Sequence, residues 1–166
     1  MGYSGRVDKE SRTKAIIYDE AIRVVLTGLQ MVDSVKEILK QSSNKDFAHL
    51  SVRVGIHSGK IIAGFIGSKV IKYDIFGENV LVANKTKSNA AKNKVTISSA
   101  TRSLLETSSR ALKMWTFQFH GDIRVKEIAK VYQLHTVEIR EDSLVTDSGG
   151  YGEQSEDSID SLELQS

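Results

Sequence analysis

Cysteine is absent from all 166 residues, so disulfides and thiolate metal sites are excluded. No apolar run approaches the 18 residues that a membrane-crossing helix needs, and no secretory leader is visible. Tandem repeats are missing, and the glycines spell neither a P-loop nor a dinucleotide fingerprint. Basic residues also run out: from Glu141 onward there are eight acidic residues and no Lys or Arg. The formal net charge of +2 therefore hides a basic body, with 23 Lys and Arg against 13 acidic residues in the first 140. Such a body suits a polyanion, whether a nucleoside triphosphate, RNA or an acidic membrane surface; scattered solvated lysines would look the same.

What is present is ordinary globular material, 40% apolar and 27% charged, enough for one domain with a core. The lack of cysteine fits a cytosolic setting. From about residue 138 the chain turns to Ser, Gly, Asp and Glu with few large apolar groups. Too little surface can be buried there to offset ordering entropy, so the expected division is a domain over 1–138 and a disordered tail over 139–166.

Residues 1–5 read as the end of a strand, 6–14 as a loop and 41–45 as a polar turn. Between them Ile22, Val25, Leu26, Leu29, Val32, Val35 and Leu39 fall at three-four spacing, which predicts an amphipathic helix over 16–39 lying on a sheet. Gly28 inside it costs about 1 kcal/mol against alanine. The densest pattern is 52–88. Two β-branched runs, 52–56 and 60–66, flank His57-Ser58-Gly59 and predict an antiparallel hairpin with a glycine turn. After Gly77, Val80, Ala83, Asn84 and Lys87 carry helical spacing over 79–88. Residues 95–97 form a short strand, Ser98 or Ser99 caps a helix burying Leu104 and Leu105, and 114–119, 123–125 and 131–134 close the chain as strands broken at His120-Gly121-Asp122. This order suits a ferredoxin-like α+β fold, an antiparallel-rich sheet with helices packed on one face.

Arg53-Val54-Gly55-Ile56-His57-Ser58-Gly59, Ala63-Gly64, Ile66-Gly67, Tyr73-Asp74-Ile75-Phe76-Gly77, Val80, Ala83 and Ser88 together resemble the catalytic domain of class III nucleotidyl cyclases. The match runs gap-free over about forty residues, and the family shares the ferredoxin-like fold. The resemblance implies formation of a 3′,5′-cyclic nucleotide and pyrophosphate from GTP or ATP, with Mg²⁺ or Mn²⁺, in a crevice shared by two cyclase domains. One half brings two metal-binding aspartates; the other brings an asparagine for the ribose and an arginine for the phosphate. At those last two positions stand Leu81 and Lys85, and leucine cannot hydrogen-bond a ribose while lysine lacks the planar donor fork. That departure resembles the metal-carrying half, most of all in protist membrane guanylyl cyclases, which favours GTP and a membrane-associated parent with this domain in the cytosol.

By the same resemblance the domain is N-terminally truncated: residues 1–5 match the segment just after the second metal aspartate, so no metal ligand is expected in this stretch, and it should be inert alone. Asp8, Asp19 and Asp33 are solvated rather than substitutes. Arg53 matches an arginine that contacts the triphosphate, Asp74 a purine-reading position, and Lys126 a lysine near phosphate, with Glu127 standing where the family has glycine. The partner is a second cyclase domain, in a homo- or heterodimer or within the same parent chain. The alternative is a catalytically inactive domain serving as a regulatory dimer partner. His57 has no second metal ligand at suitable spacing and reads as structural; His120 and His135 have no partner that suggests a nucleophilic triad. RNA binding would need aromatics exposed on central strands, whereas Phe65 and Phe76 are expected in turns. No nucleic-acid partner and no membrane segment are expected.

Overall fold

The computed structural model of the chain describes residues 14–42, 47 and 49–140. It opens with α1 (Lys14–Gln41), one unbroken helix. Ala21, Ile22, Val25 and Val32 are buried and Leu26, Leu29, Val35 and Leu39 half-buried, which is the stripe the spacing predicts. Gly28 does not interrupt it. A Cβ there would meet the methyl groups of Val54 and Val95 at 3.1 and 3.3 Å, so the missing side chain lets the helix lie low on the sheet. The polar turn expected at 41–45 loses Gln41 to this helix, and 43–45 lie outside the described residues. So do 1–5 and 6–13, while Lys14, expected in a loop, begins the helix.

Along the chain follow β1 (Val54–Ile56), β2 (Ile62–Ile66), β3 (Lys72–Phe76), α2 (Glu78–Ser88), β4 (Val95–Ser98), α3 (Ser99–Glu106), α4 (Ser109–Met114), β5 (Trp115–Val125) and β6 (Lys130–Ile139). The main sheet runs β1-β4-β6-β5, with β1 parallel to β4 and the other pairs antiparallel. β2 and β3 form a separate antiparallel ribbon.

That pairing overturns the hairpin expected across His57-Ser58-Gly59. β1 pairs in parallel with β4, 41 residues on, and a parallel pair requires the chain to leave the sheet and cross over, which it does through the ribbon and α2. The partner of β2 is β3, which closes a ribbon with its own turn over 67–71. Phe65 and Phe76 accordingly lie on strands rather than in turns.

Helices cover both faces of the main sheet, not the one face that the element order suggests, because α2 crosses over on the side opposite α1. On one, α1, α3 and α4 enclose a cluster that includes Ile22, Val25, Ile97, Leu105, Trp115 and Val137. On the other, α2 sets Val82 against Ile123, Val125 and Leu134. β5 feeds both cores because of one irregularity. Trp115, Phe117 and Phe119 pair with Ile139, Val137 and His135, but the register shifts between Phe119 and Gly121 and leaves His120 as the extra residue. An inserted residue reverses the side-chain alternation. Trp115 and Phe117 therefore serve the first core and Ile123 and Val125 the second, while Phe119 beside the shift is exposed. Gly121 takes φ +151° at this point, a left-handed conformation that a side chain would strain. The expected break at His120-Gly121-Asp122 is thus a bulge inside one continuous strand.

Ser98 caps α3 as predicted, its hydroxyl accepting from the Thr101 N–H, with Leu105 buried and Leu104 half-buried. The short α4, capped by Ser108, was not expected; Ala111 is its one buried residue and Met114, expected in a strand, is its last. β6 continues through Ile139, and the Arg140 N–H donates to Met114 O. Residues 141–166 lie outside the described residues.

Candidate functional site

At the top of β1 the chain stops being sheet and becomes a hydrogen-bonded junction. Asn79, in the first turn of α2, donates from Nδ2 to Lys60 O at 2.7 Å, which turns its Oδ1 toward His57 Nε2 at 2.9 Å. An amide oxygen only accepts, so the imidazole proton sits on Nε2, and Nδ1 accepts from the Ser98 hydroxyl at 2.7 Å. Burial drives the His57 pKa below its usual value, while the Asn79 bond pulls the other way. Tyr132 closes the far side, its ring edge-on to His57 at 5.5 Å. Gly59 completes the fit: a Cβ there would stand 2.3 Å from Asn79 Cγ. Ser98, His57 and Asn79 stand in line like a hydrolytic triad, but Ser98 is fully buried and its hydroxyl is committed to capping α3, so no substrate reaches it.

The residues singled out from sequence fall in two groups. Arg53 is exposed just before β1, and its Nη1 makes a long 3.5 Å contact with Ser88 O at the C-terminal end of α2, one turn from the half-buried Lys85. The approach of these two elements depends on Gly55, where a Cβ would lie 2.3 Å from the Lys87 backbone. Asp74 and Lys126 sit away from that end. Asp74 is exposed on β3 and accepts from the Ile75 N–H at 2.8 Å, a local brace. Lys126 is exposed in the single 3-10 turn joining β5 to β6. Lys130, just beyond that turn, pairs with Glu78 at the N-terminal end of α2 at 3.0 Å, and this carboxylate raises the lysine's pKa. An eleven-residue helix, about 16 Å long, thus separates the two groups.

Among the described residues no group of three His, Asp or Glu could hold a metal ion, so they do not by themselves fit a divalent cation, and no chemical step is derived through one. Asp19 and Asp33 are exposed on α1, and Asp33 pairs with Lys36; Asp8 lies outside the described residues. No helix among them is long and apolar enough to cross a membrane.

Two features carry no signal in the linear pattern. His135, 2% exposed, accepts from Arg102 Nη1 at 2.6 Å, and its Nδ1 is buried without a partner. Burial and the adjacent guanidinium hold its pKa down, against weaker pulls from Glu106 and Asp122. The second is the ribbon. Ile62, Phe65, Ile66, Val70, Ile71 and Tyr73 are 45–75% exposed, with Phe76 and Leu81 at its base also open. Both faces of the ribbon are apolar, one through Ile62, Ile66 and Phe76 and the other through Phe65, Tyr73 and Ile75. A Cβ at Gly64 would meet nothing within 4 Å, so this glycine's place in the ribbon answers to no packing within the described chain.

This mixed α+β fold, with an apolar ribbon projecting from a two-sided sheet, is that of nucleotide-cyclase catalytic cores. The family model for the adenylate and guanylate cyclase catalytic domain matches residues 10–137, and the chain belongs to that family. Soluble guanylate cyclase gcy-31 of Caenorhabditis elegans is 30% identical over 127 residues, 76% of this chain and 16% of that protein. The soluble guanylate cyclase alpha-1 subunit of Bos taurus is 32% identical over 103 residues, covering 62% of this chain and 14% of the subunit. Atrial natriuretic peptide receptor 2 of Anguilla japonica is 30% identical over 124 residues, 75% of this chain and 11% of the receptor. The chain therefore spans less than a fifth of the length of these relatives. Among solved structures, the adenylyl cyclase CyaB from P. aeruginosa superposes with a TM-score of 0.61 at 23% identity, over 81% of this chain and 66% of that one. The guanylate cyclase domain of RhGC from Catenaria anguillulae, solved with GTP, gives 0.57 at 20% identity, over 80% and 64%. Both likenesses concern the fold.

Proposed function

We propose that this chain is part of a class III nucleotide cyclase that converts GTP, in preference to ATP, to the 3′,5′-cyclic nucleotide and pyrophosphate, working only against a complementary cyclase domain. In the reaction the ribose 3′-oxygen bonds to the α-phosphorus, the bond from that phosphorus to the pyrophosphate oxygen breaks, and the 3′-hydroxyl proton is lost. The observation that carries the reading is the ribbon, whose large apolar groups on both faces have no cover in the described chain. A surface of that kind marks a protein interface. Leu81 and Lys85 leave this half without the ribose and phosphate groups of the other half, so the neighbour supplies them.

Arg53 is the residue here assigned to the triphosphate: it is exposed and held by one long contact, which leaves its donor fork for phosphate oxygens. Lys85 lies beside it; Asp74 and Lys126, at the far end of α2, are assigned the outer edge of the nucleotide pocket. The reading takes its Mg²⁺ or Mn²⁺ ligands from residues other than those described. Guanylate cyclases among the relatives support GTP, and the receptor among them supports a membrane-associated parent.

The second reading, a regulatory partner without chemistry of its own, is favoured by Leu81, an apolar side chain 40% exposed where the family has asparagine. Turnover by the full-length gene product with its complementary domain separates the two. Arg53→Ala should lower it about 10- to 150-fold, the loss of one charge-assisted contact worth about 1.5–3 kcal/mol. Unchanged turnover removes Arg53 from the site. The 166-residue chain alone should make no cyclic nucleotide from GTP or ATP with manganese, and turnover by the purified chain would refute the reading that its cation ligands and its ribose and phosphate groups come from elsewhere.

A further inference from the structure

The ribbon poses a mechanical question. Its strands stand open to solvent, yet a docking element must be aimed before its partner arrives. The hydrogen bonds that anchor it lie at its feet. The chain enters β2 through Gly59-Lys60 and leaves β3 through Gly77 into α2, and Asn79 bonds one foot to the other through Lys60 O. Gly59 lies so close that the Asn79 amide fills the place a side chain would take.

Asn79 is in turn held from behind by His57, and His57 by Ser98, whose hydroxyl also accepts from Thr101 N at the start of α3. Thr101 reaches back to Ser58 Oγ at 3.1 Å, a second tie on the same junction. The path from ribbon to core is Lys60 O, Asn79, His57, Ser98 and the N-terminus of α3.

From this geometry we infer that His57 is a positioning residue, the clamp through which α3 fixes the direction of the β2–β3 ribbon relative to the main sheet. An imidazole suits the task. It is rigid and bonds at opposite ends, with one nitrogen donating to the Asn79 amide at the foot of the ribbon and the other accepting from the buried Ser98 hydroxyl at the start of α3. Its edge contact with Tyr132 stops the ring from swinging out. The clamp itself stands apart from the proposed function; its consequence for docking rests on that reading.

The absence of cysteine makes a direct test simple. Spin labels are placed at Ser68→Cys in the ribbon turn and Arg110→Cys on α4, both exposed, in the whole chain diluted with unlabelled protein. Pulsed dipolar spectroscopy should give one narrow distance distribution, and His57→Ala should at least double its width while the emission of the buried Trp115 stays unchanged. Asn79→Ala, which cuts the tie and leaves the His57–Ser98 bond, should broaden it likewise, and decides the matter if His57→Ala does not fold. A distribution that stays narrow in a folded variant overturns the clamp. Association with the complementary domain is measured on the same proteins. If the ribbon loosens and association is undiminished, the clamp stands and the ribbon is not the docking element.

Discussion

His57 and His135 are both held neutral, for different reasons, and the difference can be measured. Around His57 every ring nitrogen has a partner and burial alone lowers the pKa. His135 faces a guanidinium, which can only donate, so Nε2 must stay bare and the proton sits on the buried, unpartnered Nδ1. A second proton would set two cations against each other in the core. With the folded pKa of both histidines below 6.5, the unfolded chain binds more protons near that pH. Their contribution to stability is thus complete above about pH 6.5 and is lost as pH falls from there toward the depressed folded values, at no more than about 1.4 kcal/mol per pH unit for each. Urea midpoints should hold between pH 8 and 7 and drop between 6.5 and 5. His135→Gln keeps an acceptor for Arg102 without the titration and should make that drop shallower. An equally steep fall in the variant would mean that Arg102 and His135 do not govern it.

At the scale of elements, the bulge of β5 is the feature with most leverage. Trp115, Phe117, Ile123 and Val125 all stand at odd positions in the sequence, yet they serve two cores on opposite faces because His120 is extra. Deleting His120 would remove the bulge and let Gly121 follow Phe119 directly, which keeps Gly121 opposite Leu134 and Ile123 opposite Tyr132. Ile123 and Val125 then still face α2, and the second cluster with Val82 and Leu134 should survive. Amide exchange in α2 should change less than threefold, with the single Trp115 still emitting as a buried indole; a tenfold rise would show that the extra residue itself is needed to hold the second core. The same strand shows what the sequence reveals and what it hides. Period and capping are local, so α1, α2 and the Ser98 cap were legible. Pairing is not local: nothing near His57 says that β1 lies parallel to a strand 41 residues on, and a glycine turn between two β-branched runs imitates a hairpin. α4 escaped because six residues with one buried alanine show no period. Asn79 escaped because its partners lie 19 and 22 residues away. Arg53, Asp74, Lys85 and Lys126 could be named from a resemblance, but their division between the two ends of α2 needed coordinates.

For the whole molecule the decisive quantity is the free energy of covering the ribbon. Fully burying one large apolar side chain is worth about 1.5–3 kcal/mol, and Ile62, Phe65, Ile66 and Tyr73 all stand open on the strands. Association repays only part of such a sum, because docking costs translational freedom and side-chain ordering. What remains should still be concentrated in the aromatic pair Phe65 and Tyr73, whose rings already meet edge-on at 5.1 Å and lose little on ordering. Since the ribbon strands contribute nothing to either core cluster, a charge placed at an exposed position on them disturbs little of the folded state. Phe65→Asp should leave the thermal midpoint of the isolated chain within about 2 °C, a surface substitution's effect, and yet weaken association with the complementary cyclase domain by at least a hundredfold in sedimentation. Asn84→Asp, also at an exposed position but on α2, adds the same charge off the ribbon and should change association less than threefold. Equal losses in the two variants would trace the effect to net charge, and no loss in Phe65→Asp would move the interface elsewhere on the molecule.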